Sequence, residues 1–188
     1  MIGNKELYIV IDIETDGPVP GQYSMLSIGA IATNEAVEVG EFYAKLLPLD
    51  SASRQPSTME WWATQPEAWE EVNKDQRPPE LVIPEFRDWL KGFEASLVVT
   101  AHPIGFDYAF VSWYLWKFAD ENPFTNSNGA LVSLDIASYI AGKYDLRLED
   151  SKRHTMPDEL KIGMPIHSHN ALDDARGYGV ILRNVLQA

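Results

Sequence analysis

The sequence contains no cysteine, which excludes disulfides and thiolate metal sites. A reducing cytoplasm is the default compartment for such a chain, so we expect a cytoplasmic protein. No stretch approaches the roughly 18 consecutive apolar residues of a membrane-spanning helix. The opening residues MIGNKELYIV also lack the features of a secretory signal. These absences predict a protein without a membrane partner.

Basic residues are scarce. The chain carries 15 Lys and Arg against 28 Asp and Glu, a formal net charge of −13. A protein that binds long duplex nucleic acid non-specifically presents a basic surface to the phosphates, and this charge argues against that class. The charge is still compatible with binding a short strand of nucleic acid at one local site, particularly where bound cations supply the positive charge.

The pattern of apolar residues predicts one globular domain spanning residues 1–188, without internal repeats or long linkers. Three strands that form an antiparallel meander are followed by alternating helices and strands. This order predicts an α/β fold with a mixed central sheet of about five strands, flanked by helices. The predicted strands are 7–14, 25–33, 39–47, 97–101 and 131–134. The predicted helical segments are 57–73 with a proline interruption, one opening at Pro84, 106–119, 136–144, a short one within 157–162, and 170–186.

Two acidic residues, Asp12 and Glu14, stand at the end of the first predicted strand, in VIDIETD. Side chains alternate along a strand, so both carboxylates share the face of Tyr8 and Val10 and reach one site. The alternative is that both lie beyond the edge of the core and are simply solvated.

Two further aspartates lie on the apolar faces of predicted helices. Asp107 precedes apolar residues of its helix by three, four and seven positions, which places it on the inward stripe. The alternative for Asp107 is a first-turn carboxylate favoured by the helix macrodipole. Asp174 falls in the apolar row of the C-terminal helix, whereas Asp173 is turned about 100° away. Asp174 is therefore predicted to point inward.

Carboxylates brought together in this way repel one another unless cations bind them. Oxygen ligands suit hard ions such as Mg²⁺ or Mn²⁺. His169, immediately before the C-terminal helix, is a candidate general base beside a metal-bound water, and His167 is its rival. Without cysteine and with dispersed histidines, a zinc site is less favoured than a carboxylate site.

Three segments in order, DIETD, HPIGFDYAF and HNALDDA, resemble the three motifs of the DEDDh 3′→5′ exonucleases. That family includes RNase T, oligoribonucleases and polymerase proofreading subunits, and it has a ribonuclease H-like fold. The resemblance spans residues 7–186 and includes the His-x4-Asp spacing of the subgroup. One departure is His102-Pro103, where many relatives have His-Asn.

The resemblance assigns roles to individual residues. It implies that Asp12, Glu14, Asp107 and Asp174 bind the metal ions, and that His169 is the general base. Thr15 falls where family members contact the terminal nucleotide.

The activity implied is hydrolysis of short single-stranded nucleic acid from a free 3′ end to 5′-mononucleotides, with two divalent cations, Mg²⁺ or Mn²⁺. RNA is slightly favoured over DNA. Small members of the family are often homodimers, so a homodimer is compatible with the resemblance. The alternatives are a noncatalytic module that keeps the fold to bind nucleic acid or protein, another phosphodiester substrate, and a polymerase-associated proofreading exonuclease.

Other side chains are candidates for strand contacts. Trp61 or Trp62 could stack on a terminal base, but core or helix-capping positions are the preferred interpretation of both. Five basic residues within 143–161 either meet phosphates or belong to an ordinary solvated loop.

Overall fold

The computed structural model describes residues 6–125, 128–165 and 168–188. Its centre is a five-stranded sheet of order β3-β2-β1-β4-β5. β1–β2 and β2–β3 are antiparallel, whereas β4 runs parallel to β1 and β5 parallel to β4. The predicted mixed sheet is therefore confirmed. The strands are β1 (Glu6–Thr15), β2 (Met25–Thr33), β3 (Glu38–Lys45), β4 (Ser96–Ala101) and β5 (Ser133–Asp135).

Helices flank the sheet. They are α1 (Pro56–Trp62), α2 (Pro66–Val72), α3 (Pro79–Lys91), α4 (Ile104–Ala119), α5 (Ile136–Tyr144) and α6 (Ala171–Gln187). Short 3-10 helices at Leu148–Ser151 and Asp158–Lys161 join α5 to α6. Nowhere in the described parts of the chain is a helix both long and apolar enough to cross a membrane.

The predicted strand 131–134 is observed as β5 at Ser133–Asp135, with Leu131 in an isolated bridge to Thr125. The start of α3 also differs from the prediction. α3 begins at Pro79, not at Pro84, because Pro79 already occupies the first helical position, where a missing N–H costs nothing. Pro84 lies inside the helix. Proline has no N–H to donate to the carbonyl of Glu80, and Glu80 is an exposed residue.

β1 separates two apolar cores. Its odd-numbered residues 7–13 pack with α3 and α4 on one face of the sheet. Tyr8 and Val10 pack with α5 and α6 on the other. The same alternation directs Asp12 and Glu14 toward the face that α6 covers.

The carboxyl end of β1 projects beyond its neighbour. Pairing between β1 and β4 ends at Val10 and Thr100, yet β1 continues to Thr15. β4 ends at Ala101, and α4 starts three residues later. In open α/β sheets, ligands bind beyond the carboxyl ends of the strands. This edge is where the acidic residues gather.

Candidate metal centre and active site

Asp12 and Glu14 lie near the carboxyl end of β1, and the Glu14 side chain is buried. Asp12 pairs across the sheet with Gly29 of β2. A Cβ at Gly29 would lie 2.2 Å from the carbonyl carbon of Ala171. Glycine therefore lets the first turn of α6 rest backbone to backbone on the sheet, beside Asp12.

The start of α6 is fixed by its N-cap. The Asn170 side-chain oxygen accepts hydrogen bonds from the N–H groups of Leu172 and Asp173, at 3.0 and 3.3 Å. Asp173 turns outward and pairs with Arg176 at 3.2 Å. Asp174, the next residue, is 1% exposed and turns inward, as the helical periodicity predicts.

Three of the predicted groups converge. A carboxylate oxygen of Glu14, a ring nitrogen of His169 and a carboxylate oxygen of Asp174 all lie within 4.8 Å of one another. His169 has a φ of 54°, in the left-handed region that a non-glycine residue occupies at an energetic cost. Its ring meets that of Trp61 edge to face, with centroids 4.9 Å apart.

Asp107 reaches the same edge from the first turn of α4. Its Oδ1 accepts a hydrogen bond from the Ile13 N–H at 3.2 Å. Burial raises the pKa of Asp107 to about 7, even though this bond and one from its own backbone N–H lower it.

Asp12 is coupled to the other three acids. Burial raises its pKa well above the ordinary value, and the charges of Asp107, Glu14 and Asp174 raise it further. Burial likewise raises the pKa of Glu14, with Asp174 and Asp107 adding to the effect. The geometry supports this coupling, since Glu14 and Asp174 both belong to the cluster within 4.8 Å and Asp107 bonds to the backbone between Asp12 and Glu14. We refer to these four acids as the acidic group.

The donor set fits a hard divalent cation. Carboxylate oxygens are the ligands that such ions take. A divalent cation would also remove the repulsion that raises these pKa values.

The residues predicted to contact nucleic acid differ in their exposure. Trp62 is 1% exposed, and its Nε1–H donates to the Thr15 carbonyl at 2.9 Å, so it belongs to the core and has no free face for a base. The burial of Trp62 fits the core position, the preferred interpretation, and does not fit stacking on a terminal base. Trp61 is 39% exposed and lies against His169. Thr15 is 8% exposed at the end of β1.

Arg153 enters the acidic group from the segment between α5 and α6. Its Nη1 lies 3.5 Å from Asp174 Oδ1. The sequence placed it only among five basic residues, because helical and strand periodicity do not orient side chains of an irregular segment. Of the others, Arg147 and Lys161 form ion pairs with Glu149 and Asp158.

The His102-Pro103 pair lies directly before α4. Pro103 precedes α4 without a side-chain cap, and Asp135 Oδ2 instead accepts the Ile104 N–H at 2.8 Å. The His102 ring stacks on Tyr178, and its Nε2 lies 2.8 Å from the Ser151 carbonyl. His167, the rival base, lies outside the described residues.

Comparison with known proteins identifies the family of the chain. Residues 7–186 match the domain described as 3′-5′ exoribonuclease Rv2179c-like. The chain belongs to this family. Its 3′-5′ DNA exonuclease relative Cap18 of Escherichia coli is 30% identical over 186 residues, which cover 96% of this chain and 91% of Cap18. The prediction of an enzyme of the 3′→5′ exonuclease class is confirmed at the level of the family.

Solved structures share the fold. The nuclease domain of 3′hExo, a DEDDh family member bound to rAMP, aligns with a TM-score of 0.73 at 13% identity, covering 98% of this chain and 94% of that one. The zinc-bound complex of Escherichia coli exonuclease I with single-stranded DNA aligns at 0.70 and 15% identity, covering 97% of this chain and 40% of that one. The ribonuclease H-like fold of the DEDDh exonucleases is thus confirmed for this chain.

Proposed function

We propose that residues 1–188 act as one 3′→5′ exonuclease domain that releases 5′-mononucleotides from the free 3′ end of short single-stranded nucleic acid. The observation that carries the proposal is the convergence of Glu14, His169 and Asp174 within 4.8 Å. Asp12 and Asp107 belong to the same acidic group, and the charge of Asp107 raises the pKa of Asp12. The family of the chain supports the same reaction.

The four carboxylates Asp12, Glu14, Asp107 and Asp174 would hold two divalent cations, Mg²⁺ or Mn²⁺. When bound, such ions stabilise the charge on the attacking and leaving oxygens and lower the pKa of a bound water. The protein's part is to keep four acids together through burial and backbone contacts, which include the Ile13 N–H to Asp107 bond. The exonuclease I structure with the same fold contains a bound zinc ion.

His169 would accept the proton of the attacking water. The bond that forms joins the water oxygen to phosphorus, and the bond that breaks joins phosphorus to the 3′ oxygen of the preceding nucleotide. The Trp61 ring contacts the imidazole edge to face and would help to orient it. Since His169 lies beside Glu14 and Asp174, its ring is positioned at the centre where the cations would bind.

We propose that the nucleic-acid substrate is RNA in preference to DNA. The support is the description of the matched domain as an exoribonuclease, whereas the description of Cap18 as a DNA exonuclease favours the alternative. Trp61, with an exposed face beside His169, would stack on the terminal base, and Thr15 would contact the terminal nucleotide.

The test uses 5′-labelled single-stranded RNA and DNA of equal sequence, incubated with Mg²⁺, Mn²⁺ or EDTA. Stepwise shortening from the 3′ end that requires metal is expected. Asp12→Asn and Asp174→Asn should each reduce the rate at least about a hundredfold, since removing one essential group typically costs several kcal/mol of transition-state stabilisation. The outward-facing Asp173→Asn is the matched control. His169→Ala should slow the reaction strongly, with the exposed His154→Ala as its control.

The rival is a noncatalytic module that keeps the fold to bind nucleic acid or protein. It predicts strand binding without shortening and no change in thermal stability on adding Mn²⁺. A third pattern, shortening only in the presence of a polymerase subunit, would favour the proofreading alternative.

A further inference from the structure

Arg153 has an unusual position for a basic residue in an acidic protein. Its side chain is 17% exposed, although it comes from the segment that joins α5 to α6. A long ion pair, 3.5 Å from Nη1 to Asp174 Oδ1, connects it to the acidic group, and its charge lowers the pKa of Asp12 against the effect of burial. Arginine cannot lose its proton under ordinary conditions, so a full positive charge stands beside the candidate metal centre.

The guanidinium is held by several contacts. Its Cζ lies 5.3 Å from the ring centroid of Tyr178 in α6, a cation–π geometry. Nη2 lies 3.5 Å from the carbonyl oxygen of Pro165. Both of these distances are at the outer limit, so the donors that reach Asp174 and Pro165 are weakly engaged. The Tyr178 hydroxyl also forms a hydrogen bond with the guanidinium, which lowers the pKa of Tyr178 against the effect of burial.

The segment that carries Arg153 is itself anchored. The hydroxyl of buried Ser151 donates to the Leu148 carbonyl at 2.7 Å, and the Ser151 carbonyl lies 2.8 Å from His102 Nε2. Because His102 stacks on Tyr178 at 5.0 Å, the ring beneath the guanidinium is fixed as well. The position of Arg153 is thus built into the fold rather than left to a free surface side chain.

Charge complementarity indicates a ligand. Two divalent cations cancel the charge of four ionised carboxylates, so Arg153 then leaves one net positive charge at the centre. A phosphodiester carries one negative charge, and the arginine fork matches its two non-bridging oxygens. Cations on Asp174 would also weaken the existing ion pair and free the guanidinium.

We propose that Arg153 is a substrate-phosphate-binding residue, which pairs with Asp174 in the metal-free protein and binds the scissile phosphate once cations occupy the centre. This inference rests on the proposed exonuclease function. It adds a positively charged contact to a site that the motif residues make entirely from carboxylates and one imidazole.

The test compares Arg153→Gln, Arg153→Lys and Arg147→Gln. Arg147 is the matched control, since it lies in the same segment, is 78% exposed and pairs with Glu149. Binding of a labelled single strand is measured by anisotropy in Ca²⁺, which takes oxygen ligands as Mg²⁺ does, across a range of salt concentrations. Mn²⁺ affinity is measured separately by calorimetry.

Arg153→Gln should weaken strand binding about tenfold or more, because charge-assisted hydrogen bonds to phosphate are lost. Its salt slope should fall by about 0.7, the value for one phosphate contact on a single strand. Mn²⁺ affinity should be unchanged or higher. Arg153→Lys, which keeps the charge without the fork and guards against misfolding of the glutamine variant, should be intermediate, and Arg147→Gln should match the unmodified protein.

An unchanged strand affinity and salt slope in Arg153→Gln, with tighter Mn²⁺ binding, would overturn the inference and leave Arg153 only as a competitor of the cations. The exonuclease proposal would survive that result. If the unmodified protein binds neither Mn²⁺ nor the strand, the proposed function fails and this inference fails with it.

Discussion

Asp107 and Ile13 are 94 positions apart in the chain, yet the Asp107 carboxylate accepts the Ile13 N–H at 3.2 Å. The bond lies where β1 has run past its pairing with β4. It gives Asp107 two separable roles, since one side chain satisfies a buried backbone donor and contributes a negative charge to the acidic group.

Substitutions at Asp107 should separate these roles. Asp107→Asn keeps an oxygen acceptor for Ile13, so the free energy of unfolding without metal should be unchanged or higher. Metal-dependent activity should fall at least about a hundredfold. Asp107→Ala leaves the Ile13 N–H unsatisfied and should cost about 1–3 kcal/mol. Urea unfolding in EDTA, measured beside exonuclease assays, distinguishes the two; equal stability of both variants would contradict the structural role of the bond.

Divalent cations should stabilise the folded protein. An ion that binds only the native state raises the free energy of unfolding by about 2.7 kcal/mol at a hundredfold excess over its dissociation constant. Thermal unfolding with Mn²⁺ and then with excess EDTA measures the effect. The gain should largely disappear in Asp174→Asn and persist in Asp173→Asn. An equal gain in both variants would place the cation elsewhere.

The two adjacent tryptophans should respond differently. Trp62→Ala removes a fully buried ring and its bond to the Thr15 carbonyl, and should lower the free energy of unfolding by about 3–5 kcal/mol. Trp61→Ala should affect stability much less but lower kcat, because the His169 ring loses its edge-to-face neighbour. Trp61→Phe, which keeps an aromatic ring, should recover part of the activity. Comparable loss of stability in Trp61→Ala would show that Trp61 is structural.

Asp135 should make a pH-dependent contribution to stability. Burial raises its pKa, but hydrogen bonds from Ser138 and from the Ile104 N–H outweigh burial, so the pKa lies below the ordinary value. The contribution is present above the unfolded pKa of about 3.9 and is lost as pH falls through the lower folded pKa. The stability difference between Asp135→Asn and the unmodified protein should shrink below about pH 4, measured by urea unfolding. A difference that stays constant to pH 2.5 would contradict this sign.

Gly29 should not accept any side chain without movement of α6. A Cβ at 2.2–2.3 Å from the backbone of Ala171 and Leu172 cannot be relieved by a rotamer change. Gly29→Ala should therefore shift the start of α6 and lower metal affinity and activity, even where the protein still folds. Gly142, beside whose Cβ position the structure has open space, provides the control substitution Gly142→Ala.

The sequence was sufficient for the parts that depend on periodicity. Alternation in β1 and the helical rows of α4 and α6 identify which acids face the core, because those patterns follow from local backbone geometry. Arg153 and the contact between Trp61 and His169 could not be predicted, since both depend on how irregular segments pack. The seven-residue α1 is also too short for periodicity to separate the buried Trp62 from Trp61.

The two-sided packing of β1 has a consequence for how this chain can change. Substitutions at the odd-numbered residues 7–13 affect the core of α3 and α4 and leave Asp12 and Glu14 on the opposite face of the sheet. Deleting or inserting one residue within that stretch instead exchanges the two faces for every position beyond it. Asp12 and Glu14 would then point into the apolar core beneath α3 and α4, and hydrophobic side chains would take their place at the site. Reading-frame-preserving indels in these few codons should therefore be far more damaging than point substitutions at the same sites.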